Sequence, residues 1–105
     1  MNDEISVKEL SEKLLSGADF ILIDVREAGE IAVGKIAVSV HIAMSEIETK
    51  LADLDKSKEY VLQCRSGARS RNVLEYMRQN GFANLKNLTG GIMAWSSEID
   101  SSINV

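Results

Sequence analysis

The chain of 105 residues holds one cysteine, and the residues around it are those whose types and spacing could do chemistry. Cys64 closes the apolar run "YVLQC" and is followed by "RSGARSR", which brings Arg65, Arg69 and Arg71 within seven residues of the sulfur. If the chain turns back sharply here, with Gly67 taking a backbone conformation that other residues resist, the loop N–H groups converge on one point. Amides pointing inward form an anion-binding concavity, and a helix beginning near Ala68 aims its positive end at the same place. Arg65 and Arg69 add full charges. The same field favours thiolate over thiol, so Cys64 is expected to ionise below the free value of about 8.5 and to be a nucleophile at neutral pH. An anion drawn into this cradle arrives with its electrophilic atom beside the sulfur. A lone cysteine at a strand end is often only a small buried hydrophobe; the glycine and the arginines favour the catalytic reading. Arg71, past the first helical turn, reads as solvated or paired with Glu75.

Caps and periodicity identify the elements that must position the loop. Ser6 with Glu9, and Ser45 with Glu48, each read as a capping box opening a helix. The first helix buries Val7, Leu10 and Leu14; the second buries Ile47, Leu51 and Leu54, with Glu46 and Lys50 as an exposed pair. "FILIDV" (20–25), "VSVHI" (38–42) and the run from Tyr60 read as strands, the first apolar enough to be covered on both faces. "ARSRNVLEYMRQNG" reads as a helix burying Val73, Leu74 and Met77 and stopped by Gly81. "ANLKNL" is the last strand, and "GGIMAWSSEI" opens a final helix with Ile92, Trp95 and Ile99 on its apolar side. Strands alternating with helices predict an α/β sandwich around a mainly parallel sheet, in which ligands sit beyond the carboxyl ends of the strands. Cys64 falls at such an end. No repeat or linker interrupts the pattern, so residues 1–105 are expected to form one domain.

Composition narrows the function classes. Sixteen acidic against twelve basic residues leave a net charge of −4, which argues against non-specific nucleic-acid binding. No apolar run nears the roughly 20 residues that span a bilayer, and "MNDEISVKEL" lacks the basic start of a signal peptide, so a cytoplasmic location and no membrane partner are expected. One cysteine and one histidine, His41, make neither an internal disulfide nor a common zinc site, and no metal is expected. His41 reads as structural.

The strand leading into "CRSGARS", the upstream "LIDVRE" (22–27) and the downstream "NLTGGIMAW" (87–95), in this order, resemble a single-domain rhodanese, a thiosulfate sulfurtransferase-like protein. The resemblance runs from "ISVKEL" to Trp95. It implies a three-layer sandwich with a five-stranded parallel sheet, and Cys64 as carrier of a persulfide. Arg65, Ser66, Gly67, Ala68 and Arg69 would be the loop whose amides hold the donor anion, with Asp24, Arg26 and Ser70 supporting it. An Asp24 paired with a loop arginine would serve that purpose. The reaction implied is a double displacement, from thiosulfate or another sulfane donor to Cys64 and then to cyanide, a thiol or a protein acceptor, with no cofactor. A monomer is expected.

The chain departs from the family's pattern at its prolines. Where "REP", "GHIPGA" and "NIP" are common, it reads "REA", "GKIAVS" and "HIA", placing Ala28, Ala37 and Ala43 at usual prolines. With no proline anywhere, the pattern suggests a natural sequence from which prolines were removed by design. Two other functions compete with sulfur transfer. One is a phosphatase or arsenate reductase on the same cradle, against which stand Gln63 and a loop that closes C-x-x-x-x-R, one residue shorter. The other is a non-catalytic binding module, against which stands the cysteine itself.

Overall fold

The apolar runs that end at Asp24 and Gln63 lie side by side at the centre of a parallel sheet in the computed structural model, which describes residues 2–105. β2 (Ile21–Asp24) pairs with β4 (Tyr60–Gln63) along its whole length, Ile21 opposite Tyr60 and Asp24 opposite Gln63. β5 (Leu85–Leu88) flanks β4, β1 (Glu4–Ile5) lies outside β5, and β3 (Val40–His41) lies outside β2, giving the order β1-β5-β4-β2-β3 with every pair parallel. The chain steps outward from β2 to β3, then returns to β4 and continues the other way to β5. The boundary between β2 and β4 is therefore the point where the winding reverses, and a crevice opens beyond the strand ends there. Cys64 directly follows β4.

Both faces of the sheet are covered, as the near-continuous apolar strands require. Side-chain alternation sends Ile23, Tyr60, Leu62 and Cys64 to one face, where they pack with Ile47, Leu51, Val73, Leu74, Met77 and Phe82. Leu22, Val61 and Leu88 point to the other face, against Val7, Leu10, Ile92 and Trp95. Burying each large side chain contributes about 1.5–3 kcal/mol, so two such cores hold the central strands firmly. Among the described residues no helix is long and apolar enough to cross a membrane.

The first capping box forms as expected: Ser6 Oγ accepts the Glu9 N–H at 3.1 Å, and Glu9 Oε1 accepts the Ser6 N–H at 2.9 Å, opening α1 (Val7–Leu15). The second does not. The Ile42 and Met44 N–H groups bond the Asp24 and Val25 carbonyls, so the chain is tied to β2 as far as Met44 and turns immediately afterwards. Glu46, not Glu48, reaches back to the Ala43 N–H at 3.1 Å, and the short α3 (Ile47–Lys50) is flanked by 3-10 turns at Met44–Glu46 and Leu51–Asp53. Glu46 thus serves the turn rather than a pair with Lys50.

Three further outcomes matter for the site. α2 (Ala28–Val33), not anticipated from the sequence, follows β2, with the Glu30 carboxylate accepting the Glu27 N–H. α4 (Ala68–Gln79) begins inside the cysteine loop and α5 (Gly91–Glu98) ends the fold. Ile99 is 37% exposed at the end of α5, and Ile103 packs on that core instead after the chain turns at Asp100.

Candidate active site

The loop after β4 closes around its own sulfur. Gly67 adopts φ +108°, the left-handed conformation that leaves its N–H pointing inward, and that N–H donates to Cys64 Sγ at 3.1 Å. The Ser70 N–H donates at 3.4 Å and the Ser70 hydroxyl lies 3.3 Å from the sulfur. Ser66 and Ala68 are exposed, and Ser66 acts on the sulfur through its backbone N–H. Cys64 itself is buried. Burial pushes its thiol up, but the Ser70 hydroxyl and the Ser70, Gly67 and Ser66 N–H groups outweigh that and hold it below the ordinary thiol value. The direction agrees with the expectation, and the hydrogen bonds of the loop amides and Ser70 come ahead of the guanidinium charges, of which Arg69 acts on the sulfur only at longer range.

The reason lies in where the arginines go. Arg69 forks onto both carboxylate oxygens of Glu30, at 2.7 and 2.8 Å, and the guanidinium holds that carboxyl down to about 2. Its hydrogen-bonding fork is spent on α2. Arg65 is exposed beside a cavity of about 140 Å³ lined by Arg26, Glu30, Val33 and Val105, and among the described residues it has no ion-pair partner. Arg71 pairs with Glu75 at 3.0 Å, as anticipated, and also with Asp3 at 2.7 Å and Glu4 at 3.0 Å.

Asp24 does not reach the loop. It lies on the Leu22 side of the sheet, whereas Cys64 lies on the Leu62 side, so alternation separates them. Its partner is Arg26, the next residue on its own face, which donates to the carboxylate through Nε at 3.0 Å and Nη2 at 2.8 Å, both side chains wholly buried. Arg26 also donates to the Gly34 carbonyl at 2.8 Å. Through Gly34 the pair holds the C-terminal end of α2, and Glu30 on that helix in turn bridges to Arg69 of the loop. His41 Nε2 lies 2.6 Å from the Arg26 carbonyl, a structural role as expected.

Two contributors went unread in the sequence. Gly91, at φ +58°, brings α5 so close that a Cβ there would sit 2.4 Å from the Cys64 carbonyl oxygen and 2.5 Å from that of Arg65. That approach lets the Ile92 and Met93 N–H groups bond those two carbonyls, clamping the start of the loop. The pair "GG" signals a tight turn but not what it approaches. Asn87, on β5, places Oδ1 2.5 Å from Ser70 Oγ and Nδ2 3.2 Å from the Gly67 carbonyl. A polar residue in a short strand carries no sequence signal of such a role.

With this geometry in hand, comparison with known proteins gives a consistent result. The rhodanese-like domain family model matches residues 6–98. YtwF of Bacillus subtilis, named as a candidate sulfurtransferase, is 50% identical over 95 residues, covering 90% of this chain and 91% of that protein. A sulfurtransferase of Allochromatium vinosum is 38% identical over 96 residues, covering 91% and 90%. The crystal structure of a rhodanese-like domain protein from Staphylococcus aureus superposes with a TM-score of 0.85 at 33% identity, over 100% of this chain and 98% of that one.

Proposed function

The chain belongs to the rhodanese-like domain family, and from that premise we propose that it is a sulfurtransferase carrying sulfur as a persulfide on Cys64. The observation that supports this most directly is the convergence of the Gly67 and Ser70 N–H groups and the Ser70 hydroxyl on one buried sulfur at the end of a central strand. A thiolate held by preorganised donors needs no separate base, and the same donors face whatever charge develops at the bottom of the loop.

In the first half-reaction the Cys64 thiolate attacks the outer sulfur of thiosulfate or a related sulfane donor. A bond forms from Sγ to that sulfur, the donor's own bond to it breaks, and the electron pair leaves with sulfite or the corresponding thiolate or sulfinate. The product is a persulfide anion on Cys64. In the second half-reaction a nucleophile, cyanide or a thiolate of a small molecule or protein, attacks the terminal sulfur, and the electron pair of the Sγ–S bond returns to Cys64. Arg65 is the loop cation free to meet the departing anion, because Arg69 is held by Glu30. Arg69 and the Asp24–Arg26 pair shape the cradle from behind.

Thiocyanate production from thiosulfate and cyanide tests the reading. Wild type is expected to turn over with ping-pong kinetics, Cys64→Ser to be inactive, and Arg65→Ala to lose about tenfold in kcat/KM, the scale of one charge-assisted hydrogen bond. Hydrolysis of an aryl phosphate by wild type without any thiocyanate would instead place the chain with the phosphatases that share this cradle chemistry.

A further inference from the structure

Ser70 Oγ carries one proton and lies against three acceptors: Cys64 Sγ at 3.3 Å, the Gly67 carbonyl at 3.3 Å and Asn87 Oδ1 at 2.5 Å. Which of them receives the proton is decided on the far side of Asn87. There Nδ2 lies 3.2 Å from the Gly67 carbonyl and 3.3 and 3.2 Å from the two carboxylate oxygens of Glu4, groups that only accept. The NH2 of the amide must face them, so its oxygen faces Ser70, and an amide oxygen cannot donate. While Cys64 is a thiol, the Ser70 hydroxyl therefore donates to the Asn87 oxygen, the nearest of the three acceptors, and the S–H can donate to the serine oxygen. When the sulfur is charged, a charge-assisted bond is the stronger one, the hydroxyl turns to the sulfur, and the buried Asn87 oxygen loses its donor.

We propose that Asn87, held in orientation by Glu4, is a positioning residue that competes with Cys64 for the Ser70 proton, making Ser70 a two-position switch that follows the charge on the sulfur. During turnover the switch acts at each step. The hydroxyl faces Sγ in the thiolate, and returns to Asn87 once Sγ becomes the uncharged bridging atom of the persulfide. Asn87 thereby limits how strongly Ser70 stabilises the resting thiolate and leaves the sulfur more nucleophilic than an uncontested hydroxyl would.

The other charges around the sulfur are Arg65 in the loop, Arg69 and Arg71 on α4, Glu30 on α2 with Glu27 before it, Asp3 and Glu4 at β1, and the Asp24–Arg26 pair across the sheet. All remain when Ser70 or Asn87 is replaced, and because replacing Asn87 also frees Glu4 and the Gly67 carbonyl, it is the comparison of the Asn87 change with and without Ser70 that isolates the hydroxyl. The proposal rests on Cys64 being the reacting sulfur, yet its test reads ionisation and not sulfur transfer, so the two can fail separately.

The experiment is the pH dependence of iodoacetamide alkylation, which in a chain with one cysteine reports Cys64 alone. Wild type, Ser70→Ala, Asn87→Ala and the double variant are compared, with Asn87→Ser as a second, polar replacement too short to reach the hydroxyl. Ser70→Ala is expected to raise the midpoint. Asn87→Ala and Asn87→Ser are expected to lower it by about 0.5–1 pH unit, the scale of one hydrogen bond, and the double variant to titrate like Ser70→Ala alone. A raised midpoint in the Asn87 variants, or an equal shift with and without Ser70, would overturn the proposal.

Discussion

At the scale of single residues, the site depends on which charges are already spoken for. Glu30 is the partner that takes Arg69 out of the anion cradle, and its carboxyl is held at about 2 against an ordinary 4.5. A carboxyl depressed in the folded state contributes stability that is present above its unfolded value and is lost as pH falls through its folded value. Urea unfolding of wild type and Glu30→Gln should therefore differ most at pH 6, and the wild-type advantage should shrink between about 4.5 and 2. A difference that stays constant over that range would contradict the pairing. Sequence reasoning found Cys64, the loop and Gly67, because a glycine between a strand and a helix has a local conformational meaning. It assigned Arg69 to the anion and Asp24 to a loop arginine, because the partners that intervene, Glu30 and Arg26, act through a helix that left only a weak trace in the sequence.

That helix sets the element scale. α2 has six residues, too few for an apolar period to show, and its only mark was Glu30 three residues after Glu27. β1, two residues long, left no strand pattern, and β3, equally short, lies within the run 38–42 that reads as a strand, whereas β2 and β4 stand out because burial on both faces demands unbroken apolar runs. The alanines at the usual proline positions can now be told apart. Ala28 is the first residue of α2, preceded by Glu27 at φ −77°, ψ 157°, a place where proline fits and no helical N–H is lost. Ala28→Pro is expected to stabilise the protein by about 0.4–1 kcal/mol in urea unfolding. Ala43 has a compatible φ of −57°, but its N–H donates to Glu46, so Ala43→Pro is expected to give a smaller gain or a net loss. Equal gains at both positions would show that the Glu46 bond contributes nothing.

At the scale of the whole molecule, the fold was legible because its strongest signals are repeated: alternating strands and helices, one functional capping box, and three motifs in family order. What escaped was the order of short edge strands and every contact made between residues far apart in sequence, among them Asn87 on Ser70 and Gly91 on the Cys64 carbonyl. With no proline in the chain, refolding from urea should lack the slow phase of about 10–100 s that prolyl isomerisation imposes, and double-jump refolding checks this. The winding reversal between β2 and β4, the clamp from α5 and the amides of the loop all converge on one buried sulfur, and the account stands on that sulfur being the carrier. Intact-protein mass spectrometry after exposure to thiosulfate, and again after cyanide, tests it most directly. Wild type should gain the mass of one sulfur atom and lose it to cyanide, while Cys64→Ser gains none; an unchanged wild-type mass, or a gain that survives in Cys64→Ser, would contradict the account.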